Sequence, residues 1–191
     1  MRVARTTSLL AVAGLALALV RVGQAQSLDA FFGLNAVSAH QAVQNIPRLG
    51  GGVFPSAGVN LFLGAVGVGA EAAFRSTNNS TGFRPVYYDV NLLLDPFHVS
   101  RSISPEFMIG AGAQHIGDYG AAASCGGLSN CVNYASNHLA LHLGVGVKVY
   151  LTEHIFLRPE AHFYFIHNNQ AFQTSNSERF GISLGYTLGG A

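Results

Sequence analysis

The side chains with the means to do chemistry are thinly spread along this chain. Asp29, Glu71, Asp89, Glu106 and Glu160 are carboxylates, Arg75, Lys148 and Arg158 are cations, and His138, His142 and His162 are three of its eight histidines. Opposed carboxylates and cations could pair, or pass a cation along a pore. His138 and His142 are four positions apart, which on a strand means ~13 Å, too far to chelate one ion without help from a neighbouring strand such as that carrying His162. Ordinary polar histidines are the simpler reading, so no metal site is expected. Cys125 and Cys131 are the only cysteines. No CxxC pair is present for a redox or metal site, and an even count in an exported chain favours a disulfide between them.

What these groups can do depends on the elements that carry them. From His138 to Leu151 the odd positions are Leu139, Leu141, Leu143, Val145, Val147, Val149 and Leu151; the even ones are His138, Ala140, His142, Gly144, Gly146, Lys148 and Tyr150. This is a strict period of two, which a helix would scramble. The same alternation appears in seven more segments, at 28–36, 57–63, 66–75, 88–94, 106–114, 157–165 and 180–188. In each, the apolar set occupies one parity and Gly, Ala or polar residues dominate the other. Pro159 falls on the apolar parity and predicts an irregular ladder there. The links run long, short, medium, short, long, short, medium (40–55, 64–65, 76–82, 96–103, 118–137, 152–154, 168–177).

Composition says where the apolar faces point. Only 10% of residues are charged, against ~25% in ordinary soluble domains, and 23 of the 191 are Gly. Beyond residue 25 no apolar run is long enough for a helical span, so the remaining spanning solution is a closed barrel. An all-β, eight-stranded, antiparallel up-and-down transmembrane barrel is therefore predicted, apolar residues toward lipid and polar ones inward. Soluble barrels such as lipocalins have the opposite sense. The lumen would hold Asp29, Glu71, Asp89, Glu106 and Glu160 against Arg75, Lys148 and Arg158, paired into a plug, with His138, His142 and His162 also inside.

Residues 1–25 read as a signal peptide: Arg2 and Arg5, then an apolar stretch at 9–20, then Gly23 and Ala25 at −3 and −1 of a cleavage site. Residues 26–191 form one barrel domain. Cleavage removes three arginines and leaves seven basic against nine acidic side chains, a balance that gives no reason to expect a nucleic-acid partner.

The chain resembles the small outer-membrane barrels that include the OmpA membrane domain and the OmpX- and opacity-like proteins. The resemblance rests on Leu28-Asp29-Ala30-Phe31-Phe32-Gly33, on Gly67-x-Gly69-x-Glu71, on Gly144-x-Gly146-x-Lys148-x-Tyr150-Leu151, on Arg158-Pro159-Glu160 and on Gly185-Tyr186-Thr187-Leu188. It departs at the end, where Gly189-Gly190-Ala191 stands in place of the terminal aromatic residue read by the barrel-assembly machinery. The resemblance implies a bacterial outer-membrane location, long loops outside the cell, and outer-membrane lipids including lipopolysaccharide, the assembly machinery and an external ligand of unknown identity as partners. No cofactor is implied. Some barrels of this size are lipid A deacylases, with a His, a Ser two residues on and a Glu beyond. Here His167 is followed by Asn169 where that serine would stand, with Ser175, Ser177 and Glu178 downstream. His115 lies on the lipid-facing parity and suits an interface residue better than a base. No catalytic residue is assigned. A structural or surface-interaction barrel is the leading expectation, ahead of a narrow gated channel and a lipid A-modifying enzyme.

Overall fold

The computed structural model describes residues 26–39, 49–76, 83–96, 102–118, 135–167 and 175–189. Residues 1–25, expected to be a signal peptide, and Cys125, Cys131 and Asn169 lie outside the described residues.

Eight strands follow one another as β1 (Gln26–Ala39), β2 (Val53–Leu63), β3 (Val66–Phe74), β4 (Phe83–Leu94), β5 (Ile103–Asp118), β6 (Ala135–Tyr150), β7 (Ile155–Ile166) and β8 (Asn176–Leu188). Each pairs antiparallel with the next, and β1 pairs with β8, so the sheet closes. Closure satisfies every sheet edge, which the alternating sequence demands because its apolar parity has no second sheet to pack on.

The two parities separate inside from outside. Facing outward are Leu139, Leu141, Leu143 and Val145 on β6 and Phe180, Ile182, Leu184 and Tyr186 on β8, and Val90 on β4 keeps 65% of its surface. On the described strands the charged outward-parity side chains are Arg84 and Glu178, both at the end of the barrel where the long links emerge. The apolar outward set of β6 runs from Leu139 to Leu151. At ~3.3 Å per residue and a ~45° tilt it rises about 30 Å, the thickness of a hydrocarbon core.

At the turn end the connections are tight. Leu63 pairs with Val66, so Gly64 and Ala65 form a two-residue hairpin turn, with Gly64 at φ 67°. Between β6 and β7, Thr152 Oγ1 accepts from the backbone N–H groups of His154 (3.3 Å) and Ile155 (3.0 Å). At the loop end the strands run further than alternation suggested. Pro55 pairs with Leu34, Phe83 with Asp118, and His115 with Asn137. Backbone pairing needs no apolar face, so the ladders continue past the apolar band as a polar rim.

Pro159 does disturb its strand. Pairing between β6 and β7 is regular from Ala140↔Ile166 to Gly146↔Glu160, then skips to Val149↔Leu157 without a change of register. Proline lacks the N–H that the ladder would use. Pairing with β8 continues through Pro159↔Ile182.

The lumen is layered. Val37, Phe54, Tyr87, Ala140, Tyr164 and Ile166 fill it near the loop end, and Phe62, Leu93 and Met108 fill it near the turn end. Buried charged residues fill much of the remaining bore, and on β5 and β6 Glu106↔Gly146 and Ser104↔Lys148 lie nearer the turn end than Met108↔Gly144. The interior is thus less uniformly polar than parity alone suggested, because aromatic residues such as Phe31, Phe54, Phe62 and Phe156 take the inward parity.

Candidate functional site

The charged network of the lumen is built from side chains of most of the strands. Lys148 on β6 lies 2.7 Å from Asp29 of β1 and 2.9 Å from Glu106 of β5. Arg158 on β7 reaches the other oxygen of Glu106 at 2.7 Å and Glu160 at 2.7 Å. Ser183 of β8 donates to Glu160 at 2.8 Å, and Thr187 donates to Asp29 at 2.7 Å. Arg179 of β8 pairs with Glu71 of β3 at 2.7 Å. All of these charged groups are buried, with Arg158 at 0% exposure. The cations also lie on aromatic faces: Lys148 Nζ is 4.0 Å from the Phe62 ring centre and Arg158 Cζ 4.1 Å from that of Phe31. Shared partners of this kind offset the desolvation of charge that a single pair would not.

A second chain, held by hydrogen bonds and carrying Asp89, leads into the first. Tyr164 donates to Asp89 at 3.0 Å, and Asn91 Nδ2 donates to the other oxygen of Asp89 at 2.5 Å. The carbonyl of Asn91 meets His142 Nδ1 at 2.7 Å, and His142 Nε2 meets His162 Nδ1 at 2.7 Å. His162 Nε2 then lies 3.6 Å from Glu160. The imidazoles are stacked, 4.9 Å between centres, and His142 stacks on Tyr164 at 4.7 Å. Gly144, inward on β6, makes room: a Cβ there would fall 3.1 Å from a ring nitrogen of each histidine.

Asp29, Glu71, Asp89, Glu106, Lys148, Arg158, Glu160, His142 and His162 therefore meet in one network. Arg75 does not join them. It sits just beyond β3 at the loop end, over the Phe54 ring, and its guanidinium is taken up by the carbonyls of Leu49, Gly50 and Gly51. Glu71 pairs instead with Arg179, which the alternation missed because it was read only from Phe180 onward. Arg179 and Ser177 continue the inward parity of Gly181 and Ser183, so two more residues would have found it. His138 is also apart, near the rim, with its ring nitrogen 3.0 Å from Ser136.

Other candidates for catalysis do not converge. Ser177 is buried in the lumen while its neighbour Glu178 points outward. His115 is at the loop-end rim, where its Nδ1 and the Asn137 side chain are 2.8 Å apart. Among the described residues, those able to hold a metal ion together are Glu71, Glu160 and His162, whose ligand atoms lie within 4.8 Å of one another.

No protein-family profile and no curated protein matches this sequence. Solved structures do match. The N-terminal β-barrel domain of OprF from Pseudomonas aeruginosa aligns with a TM-score of 0.59 at 12% identity, over 87% of this chain and 99% of that one. Ail, the attachment invasion locus protein of Yersinia pestis, aligns with 0.58 at 10% identity, over 86% and 100%. The outer membrane protein OprG of Pseudomonas aeruginosa aligns with 0.55 at 15% identity, over 87% and 97%. What these likenesses establish is the fold, a closed eight-stranded antiparallel barrel of the kind found in small bacterial outer-membrane proteins.

Proposed function

We propose that this protein is an integral outer-membrane barrel with a sealed lumen, whose role is structural or one of surface interaction through its loop end. The observation that carries the reading is the filling of the lumen: a network of buried ion pairs and clusters of buried apolar side chains occupy it, inside a wall whose outer face is an apolar band. Such a core resists hydration, and the wall is suited to lipid. Residues 1–25 act as a cleaved export signal, the assembly machinery inserts residues 26–191, and lipopolysaccharide and other outer-membrane lipids surround the band. The long links then face outward, where a ligand would be met, and a Cys125–Cys131 disulfide stiffens one of them.

Planar-bilayer recording tests the sealed lumen. The refolded mature chain is expected to give no discrete conductance steps, and steady steps would overturn the reading in favour of a narrow channel. The disulfide has its own test: alkylation of the unfolded, unreduced protein from the envelope is expected to leave both cysteines unlabelled. Lipid A mass spectra from cells with and without the protein are expected to be the same, and altered acyl chains would favour the enzyme.

A further inference from the structure

Among the described residues five buried carboxylates, Asp29, Glu71, Asp89, Glu106 and Glu160, share the lumen network with three buried cations, Lys148, Arg158 and Arg179. The other buried cation among the described residues, Arg75, is engaged by backbone carbonyls at the loop end. With both histidines neutral, the network holds two negative charges more than positive ones. An uncompensated charge in a dry interior is costly, so a positive species is required there.

The hydrogen-bond chain points to where it sits. Asn91 uses its amide N–H on Asp89, so its oxygen faces His142 Nδ1, which must carry a proton. With both rings neutral, His142 Nε2 is then an acceptor, and the proton between the imidazoles belongs to His162 Nδ1. His162 Nε2 is left with a bare lone pair. It is fully buried, has no hydrogen-bond partner, and lies 3.6 Å from Glu160 Oε2, an oxygen that already accepts from Arg158. Two acceptor-only groups would repel at this spacing. It is close to the ~3.4 Å that two ligands keep around an ion bound at ~2.1 Å. Glu71 adds a third ligand atom within 4.8 Å.

We infer that Glu71, Glu160 and His162 bind one divalent transition-metal ion of the zinc class, held inside the lumen. Two charges of the ion would offset the excess of two carboxylates over the network as a whole, and a mixed imidazole and carboxylate set suits zinc-class ions better than calcium or magnesium. The surroundings supply the outer shell. His142 accepts from His162 Nδ1–H and fixes the ring, Arg158 and Ser183 orient Glu160, and Arg179 orients Glu71. The ion would enter before the barrel closes, since no ligand is exposed in the folded chain. The inference rests on the dry lumen proposed above, and its readout, retained metal, is separate from the conductance that tests that reading.

The test uses the untagged chain, refolded into detergent micelles with Zn²⁺ and dialysed against a chelator, with metal content measured afterwards. About one zinc ion per chain is expected. His162→Gln should lower retained zinc by about tenfold or more, whereas His138→Gln, outside the cluster, should leave it unchanged. A zinc-free wild-type barrel, or His162→Gln retaining as much as the wild type, would overturn the proposal and assign the missing charge to protons. If His162→Gln fails to fold, X-ray absorption at the zinc edge of the wild type decides. One imidazole with carboxylate oxygens is expected; no imidazole, or two or more, would refute the site.

Discussion

Arg158 joins Glu106 and Glu160 at once while its guanidinium lies over Phe31. Replacing it by Met would leave two carboxylates with less positive charge in a dry interior. The expected cost is about 3–5 kcal/mol, the range for breaking one side of a buried ion pair, read from urea unfolding in lipid vesicles. A change of under ~1 kcal/mol would mean that the lumen is hydrated enough to screen the pair. At this scale much was legible in the sequence. Parity alone assigned Asp29, Glu71, Asp89, Glu106, Lys148, Arg158 and Glu160 to the interior. It could not say which cation meets which carboxylate, because partners such as Glu106 and Arg158 are 52 residues apart and are set by barrel register. Arg75 has the right parity but the wrong height, and so finds carbonyls.

Among the elements, β6 shows most clearly how one strand serves both faces. Its inward glycines leave space for bulky neighbours: a Cβ at Gly146 would lie 3.2 Å from the Arg158 stem. Gly146→Val is expected to displace Arg158 and cost about 1–3 kcal/mol in the same unfolding assay, as overpacking does elsewhere. On the other face, Leu141→Arg places a charge on the apolar band. About 2–4 kcal/mol of destabilisation is expected if Leu141 lies near the bilayer midplane, and a value near zero would place it at the interface. Alternation exposed the eight elements well, and Pro159 flagged the flaw in β7. Strand ends were less legible because the loop-end rim pairs through its backbone while its side chains lose the period of two.

For the molecule as a whole, closure makes the eight strands one cooperative unit, with β1 and β8 in register from Leu28↔Leu188 to Ala39↔Ser177. The mature chain in detergent is therefore expected to run faster on an SDS gel before boiling than after, with a strand-type circular dichroism spectrum. A helical spectrum, or a band insensitive to heating, would contradict the fold. The barrel could be read from the sequence because its wall is a repetitive pattern. The layering of the lumen could not, since height along the axis depends on tilt and stagger, which no single strand records.

The break in pairing between β6 and β7 changes how the charged layer should be seen. Val147 and Lys148 lie beside the stretch where the backbone ladder lapses, and Arg158, from the far side of that lapse, extends over β6 to Glu106 on β5. Lys148 in turn ties β6 to β1 across the bore. The ion pairs thus work as crosspieces, bracing a seam in the staves where the main chain itself is slack. Amide exchange should accordingly be fastest along that seam within the apolar band, and Arg158→Met should open it before any other pair of strands parts.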